Sequence, residues 1–189
     1  MTRIAIFASG SGSNAENIAN YFSGNNEVKI PLILTNNPDA FVIERAKKLG
    51  IPCEVVSKAE FMAADGIIEM MRKYEIDFIV LAGFLLLVPA KLIEAFPSRI
   101  VNIHPALLPK HGGKGMYGDR VHRAVVECGD TESGITIHLI DAEYDKGTTF
   151  FQAKCEVLPS DTADDVAAKV HALEYEHFPR VIGEIINQL

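Results

Sequence analysis

Short apolar runs alternate with stretches of helical spacing through the first half of this chain. The runs "RIAIFA", "VKIPLILTN", "CEVV", "DFIVLAGF" and "RIVNIH" are four to nine residues long. Their length and their Val and Ile content predict buried strands. Between them, "NAENIANYF", "DAFVIERAKKLG", "EFMAADGIIEMMRKY" and "PAKLIEAF" return an apolar residue every three or four positions. That spacing predicts helices with one buried face, the second closed by Gly50. The βαβα order predicts an α/β fold, Rossmann-like, with a mostly parallel sheet and helices on both faces. Beyond "RIVNIH" comes a glycine-rich loop, Pro105 to Gly118, and then a helix from about Asp119 to Glu127. "GITIHLI" and "TFFQAKCEVL" follow, joined by the short link "DAEYDKGT", which predicts an antiparallel strand near the C-terminal end. A last helix is expected from Thr162 to Asn187. With no repeat and no linker, residues 1–189 read as a single domain.

Composition narrows the class. Hydrophobic residues make up 48% and charged residues 23%, which suits a globular domain. The net charge of −7 argues against nonspecific nucleic-acid binding, which needs a basic face. Cys53, Cys128 and Cys155 form no CxxC, which points to a reducing, cytoplasmic setting. The N-terminus lacks a signal-peptide layout. The longest apolar run, Phe78 to Val88, has 11 residues, against about 20 for a membrane span.

Candidate chemistry begins in the first loop. Gly10, Gly12 and Ala15 fit G-x-G-x-x-[GA] between a strand and a helix. Glycines there let backbone N–H groups approach a phosphate at a helix N-terminus. A dinucleotide site would also want a carboxylate at the end of the second strand, where this chain has Asn36 and Asn37. The phosphate reading therefore stands above the dinucleotide one, beside the plainer reading of a tight strand-to-helix turn. Further on, "VNIHP" ends a strand with Asn102 and His104 two apart, on the same side. An amide donor beside an imidazole suits a reaction that builds charge on a carbonyl oxygen. Two polar residues closing a strand would look the same. Asp141, Glu143 and Asp145 in the following link supply carboxylates, of which one is able to orient a histidine. No cluster has metal-ligand spacing, so no metal is expected.

Taken together, "ASGSGSN", "LAGF", "VNIHPALLP" and "DAEYDKGTTFFQA" resemble, in order and spacing, the phosphoribosylglycinamide formyltransferases of purine synthesis. The resemblance covers nearly the whole chain and implies the formyltransferase fold. It implies transfer of a formyl group from 10-formyltetrahydrofolate to the amine of glycinamide ribonucleotide, by direct attack through a tetrahedral intermediate. It implies a catalytic trio at Asn102, His104 and Asp145. The ribonucleotide phosphate would lie on Ser11, Gly12, Ser13 and Asn14, with Lys58 as a basic contact and Glu174 at the glycinamide end. The reduced folate would lie against Leu85, Leu86 and Leu87, with Asn102, Asp141 and Tyr144. Leu86 stands where many relatives carry arginine. His111, His122, His138, His171 and His177 match no catalytic position, and a structural or surface role is expected of each.

Three other readings compete. A formyltetrahydrofolate hydrolase would share the donor site and use water as acceptor. A methionyl-tRNA formyltransferase would need a further nucleic-acid-binding domain, for which 189 residues leave no room. A noncatalytic phosphosugar-binding module would not need the Asn102, His104 and Asp145 set. The partners expected are thus small molecules, with no nucleic acid and no membrane. Oligomeric state has no signature in the pattern.

Overall fold

The computed structural model describes residues 1–140 and 147–188, and the chain divides into two compact units, residues 1–101 and 102–189. The first unit runs β1 (Thr2–Phe7), α1 (Ser13–Tyr21), β2 (Val28–Thr35), α2 (Val42–Leu49), β3 (Cys53–Val55), α3 (Lys58–Ala63), α4 (Asp65–Lys73), β4 (Phe78–Leu81) and α5 (Ala90–Ala95). Its strands lie in the order β3-β2-β1-β4. β1 pairs in parallel with β2 on one edge and β4 on the other, and β3 extends β2. Chain direction across the sheet therefore reverses at β1. The crevice past the carboxyl end of the strand at such a reversal is where open α/β sheets bind ligands. Ile4, Ala5, Ile6 and Phe7 are wholly buried, on both faces of the strand, which is why "RIAIFA" is apolar without alternation. Each large side chain among them contributes about 1.5–3 kcal/mol of hydrophobic stabilisation.

One expectation is corrected here. "EFMAADGIIEMMRKY" is not one helix but two, α3 and α4, with Ala64 between them at φ 66°. Phe61, Ile68 and Met71 would share a face of one continuous helix, which makes the spacing misleading. The break lets Phe61 and Ile67 both reach the core, where they are 0% and 1% exposed. α3 starts at a capping box: Ser57 Oγ accepts from the Glu60 N–H at 3.2 Å, and Glu60 accepts from the Ser57 N–H at 2.7 Å.

β5 (Ile100–His104) carries the chain into the second unit, which holds α6 (Asp119–Glu127), β6 (Glu132–Leu139), β7 (Thr149–Glu156) and α7 (Ala163–Ile186). β6 and β7 pair antiparallel from Glu132↔Glu156 to His138↔Thr149, as the short link predicts. A second capping box, Thr162 with Asp165, opens α7, which packs on α6, β6 and β7. Pro179 sits within α7 without ending it. The strands are mostly parallel with antiparallel C-terminal partners and are flanked by helices, so the α/β class is the one expected. No described helix is long and apolar enough to cross a membrane. Asp141, Tyr144 and Asp145 lie outside the described residues.

Candidate active site

In the first unit, the Gly10–Asn14 loop leaves β1 at the reversal point and enters α1. Gly12 caps the helix in a left-handed conformation, φ 70°, and its carbonyl accepts the first helical bond from the Glu16 N–H at 2.9 Å. The carbonyls of the loop are drawn back into the protein. That of Gly10 accepts from the Val42 N–H at 3.1 Å, and that of Ser11 accepts from Arg45 Nε at 2.8 Å. With the Gly10 and Ser11 carbonyls so engaged, the loop opens onto the positive end of the α1 dipole, which favours an anion. Arg45 is fixed in turn by an ion pair with Glu16 and by stacking on Phe41, 5.1 Å from the ring centre. Ser11 and Ser13 place their hydroxyls 3.4 Å apart at the mouth of the loop. Lys58 is exposed on the first turn of α3.

Ser9 joins this loop to the segment after β4. Its hydroxyl donates to Asn36 Oδ1 at 2.5 Å and accepts from the Leu85 N–H at 2.9 Å, and its N–H donates to the Gly83 carbonyl at 3.0 Å. The ends of β1, β2 and β4 are thereby tied together around one buried hydroxyl. β4 stops at Leu81, so Leu85, Leu86 and Leu87 lie in irregular backbone. Leu85 is 49% exposed, and Leu86 and Leu87 are half-buried.

In the second unit, Asn102 and His104 end β5 on one side of the strand, as their spacing predicts. Asn102 Nδ2 lies 3.1 Å from His138 Nε2, on β6. An amide nitrogen carries two hydrogens, so donation of one to His138 leaves a second. His104 is buried, with Nε2 2.8 Å from the His111 carbonyl oxygen. Behind it, the buried Thr136 hydroxyl pins the loop. It donates to the Ala106 carbonyl at 2.7 Å and accepts from the Leu108 N–H at 3.0 Å and from Gln152 Nε2 at 2.8 Å.

Glu174, on α7, is 5% exposed and accepts from His171 Nδ1 at 2.9 Å. That hydrogen bond pushes the His171 imidazole above its ordinary value, against partial burial. His122, buried on α6, stands edge-on to His171 with ring centres 6.3 Å apart. Burial pushes the His122 imidazole down, and His171 pushes it further, while Glu174 and Asp119 oppose. His104 lowers it as well, less than these groups do. His111 and His138 hold His104 and Asn102 respectively, the first through its carbonyl, which are structural contacts of the kind expected of them. Neither they nor Arg45 and Thr136 fall in a motif, and Ser9 lies in "ASGSGSN" without its links to Asn36 and Leu85 being marked there, because each acts through contacts outside any local pattern. Among the described residues, no three His, Cys, Asp or Glu side chains converge as metal ligands would.

Residues 2–182 match the family model described as formyl transferase. The chain belongs to that family. A phosphoribosylglycinamide formyltransferase of Arabidopsis thaliana, named as chloroplastic, is 42% identical over 98% of this chain and 66% of its own length. One from Bacillus subtilis is 35% identical over 99% of this chain and 96% of its own. The crystal structure of the protein of that name from Bacillus halodurans superposes with a TM-score of 0.88 at 32% identity, covering 98% of this chain and 95% of that one. The chain spans about two thirds of the length of the plant relatives it matches. The resemblance read from the motifs is therefore met, and the fold is that of glycinamide ribonucleotide transformylases.

Proposed function

We propose that residues 1–189 act as one formyltransferase domain, moving a formyl group from 10-formyltetrahydrofolate to the amine of glycinamide ribonucleotide. The observation that carries this reading is the end of β5, where Asn102 and His104 share one side of a strand and each is held by a second group. An amide donor and an imidazole so placed suit a reaction that builds charge on a carbonyl oxygen. The amine nitrogen attacks the formyl carbon. Its bond to that carbon forms, and the carbon–N10 bond of the folate then breaks. One proton leaves the amine and one reaches N10. Asn102 donates its remaining N–H to the oxyanion of the tetrahedral intermediate, and His104 takes or gives the proton. Asp145 orients the histidine, and Glu174 receives the glycinamide end. Ser11, Gly12, Ser13, Asn14 and Lys58 hold the phosphate. Leu85, Leu86 and Leu87 line the folate, with Asp141 and Tyr144 beside its reacting end. The substrates are small molecules, and no metal takes part. The compartment is a reducing one, the cytoplasm, in keeping with three free cysteines.

Single-turnover formyl transfer with both ligands saturating tests the assignment. Losing an oxyanion donor costs about 10²–10³ in rate, and losing a general acid–base group about 10²–10⁴. Asn102→Ala and His104→Ala are each expected to lower turnover by at least about 10² while both ligands still bind by calorimetry. Near-normal turnover in His104→Ala would remove the histidine from the chemistry.

A further inference from the structure

The His104 ring is held by a carbonyl that the chain places at some conformational cost. A carbonyl oxygen only accepts, so the His104 nitrogen 2.8 Å from it, Nε2, must carry a hydrogen. In the neutral ring the lone pair is then on Nδ1. The residue supplying that carbonyl, His111, has φ 52°, a left-handed backbone uncommon outside glycine. Such a conformation persists only where its surroundings over-determine it. Here the restraint is visible. The His111 ring, 11% exposed, donates from Nε2 to Asp130 Oδ2 at 2.6 Å. Asp130, itself 9% exposed, also receives Lys110 Nζ at 2.6 Å, and the hydrogen bonds from His111 and Lys110 hold its carboxyl below the ordinary carboxylate value. Asp130 is anchored in the turn after α6, where its own N–H donates to the Val125 carbonyl at 3.1 Å.

We infer that His111 and Asp130 are positioning residues for the reaction: the Asp130–His111 pair fixes the loop carbonyl that accepts from His104 Nε2–H and so sets which ring nitrogen faces the reacting groups. This rests on the reading of His104 as the group that moves the proton. A loop conformation that turns this carbonyl away removes its hold on the Nε2 side of the ring. A base presented on the wrong nitrogen is a severe defect. In the serine-protease triad, a wrong tautomer alone lowers turnover by about 10⁴.

Long-range ¹H–¹⁵N correlation spectra of the histidine side chains read this directly, with the His104 signals identified by their loss in His104→Ala. The native protein is expected to show His104 as the Nε2–H tautomer. Finding Nε2 without a hydrogen there would overturn the inference without any further variant. Asp130→Asn removes the charge that grips the His111 ring. His111→Gly keeps the left-handed backbone accessible and removes the ring. Both are expected to give a mixture of His104 tautomers and to lower single-turnover formyl transfer by about tenfold or more, with little change in KM for glycinamide ribonucleotide. An unchanged tautomer and rate in the two folded variants would contradict the positioning role, even with His104→Ala inactive. An active His104→Ala would instead overturn the proposed function, whatever tautomer the ring adopts.

Discussion

The two histidines beside Glu174 are shifted in opposite directions from their ordinary value, and that opposition is measurable. His171 is raised above its ordinary value of 6.5 by its hydrogen bond to Glu174. The folded chain therefore favours the charged ring. Its contribution to stability is complete below that value and fades as pH rises through the raised one. His122 is lowered from the same ordinary value by burial and by His171, so the folded chain resists its protonation and loses stability as pH falls. Urea unfolding at about pH 5.5 and about pH 8 separates the two. Relative to the native chain, His171→Gln should cost more stability at the acid pH than at the alkaline one. His122→Phe should do relatively better at the acid pH. Equal effects of each change at both pH values would contradict these shifts. At this scale the sequence was readable where residue type and spacing carry the signal, as for Asn102 and His104. It was silent on His138 and His111, which meet them only through strand pairing and a loop fold. Glu174 illustrates the middle case. The resemblance picked it out, but nothing in its helix pattern marks a buried carboxylate held by a histidine one turn earlier.

The first loop is a product of two helices rather than one. A Cβ on Gly12 would lie 2.4 Å from Val42 Cγ2 and 2.8 Å from Val42 Cα, and φ 70° already disfavours any side chain there. Gly12 is thus required by the packing of α1 on α2, in addition to any backbone approach to a phosphate. Gly10 has nothing within 4 Å of such a position and faces open space. Gly12→Ala should destabilise the fold by about 1–3 kcal/mol from overpacking, with a further ~1 kcal/mol from backbone strain. Because the clash reaches the Val42 backbone, Val42→Ala in the same chain should recover only part of that loss. Denaturant titration of the two single changes and the double one measures it. Full recovery would mean that the side chain alone sets the constraint. The motif pattern showed where the glycines fall, but not this division between them, since it says nothing of what α2 presents. The same limit explains α3 and α4. Helical spacing was continuous through Ala64, and only the packing of Phe61 and Ile67 reveals the break.

Across the molecule, what was legible follows from how local each signal is. Strand and helix alternation depends on neighbours along the chain, and the α/β class with its antiparallel C-terminal pair was readable from it. The reversal at β1, which explains why the polar glycine loop follows the first strand, depends on the spatial order β3-β2-β1-β4 and was inferred only as a general habit of such sheets. The Thr136 pin and the partners of Ser9, itself inside "ASGSGSN", join distant segments, and those contacts leave no pattern in the chain. The central claim concerns which molecule accepts the formyl group. It is tested by incubating the protein with 10-formyltetrahydrofolate carrying a labelled formyl carbon, with and without glycinamide ribonucleotide, and following the label. The account predicts that label passes to the ribonucleotide amine, that tetrahydrofolate appears in equal amount, and that the donor persists when the ribonucleotide is absent. Release of the label as formate at the same rate with and without ribonucleotide would contradict it and make the protein a hydrolase.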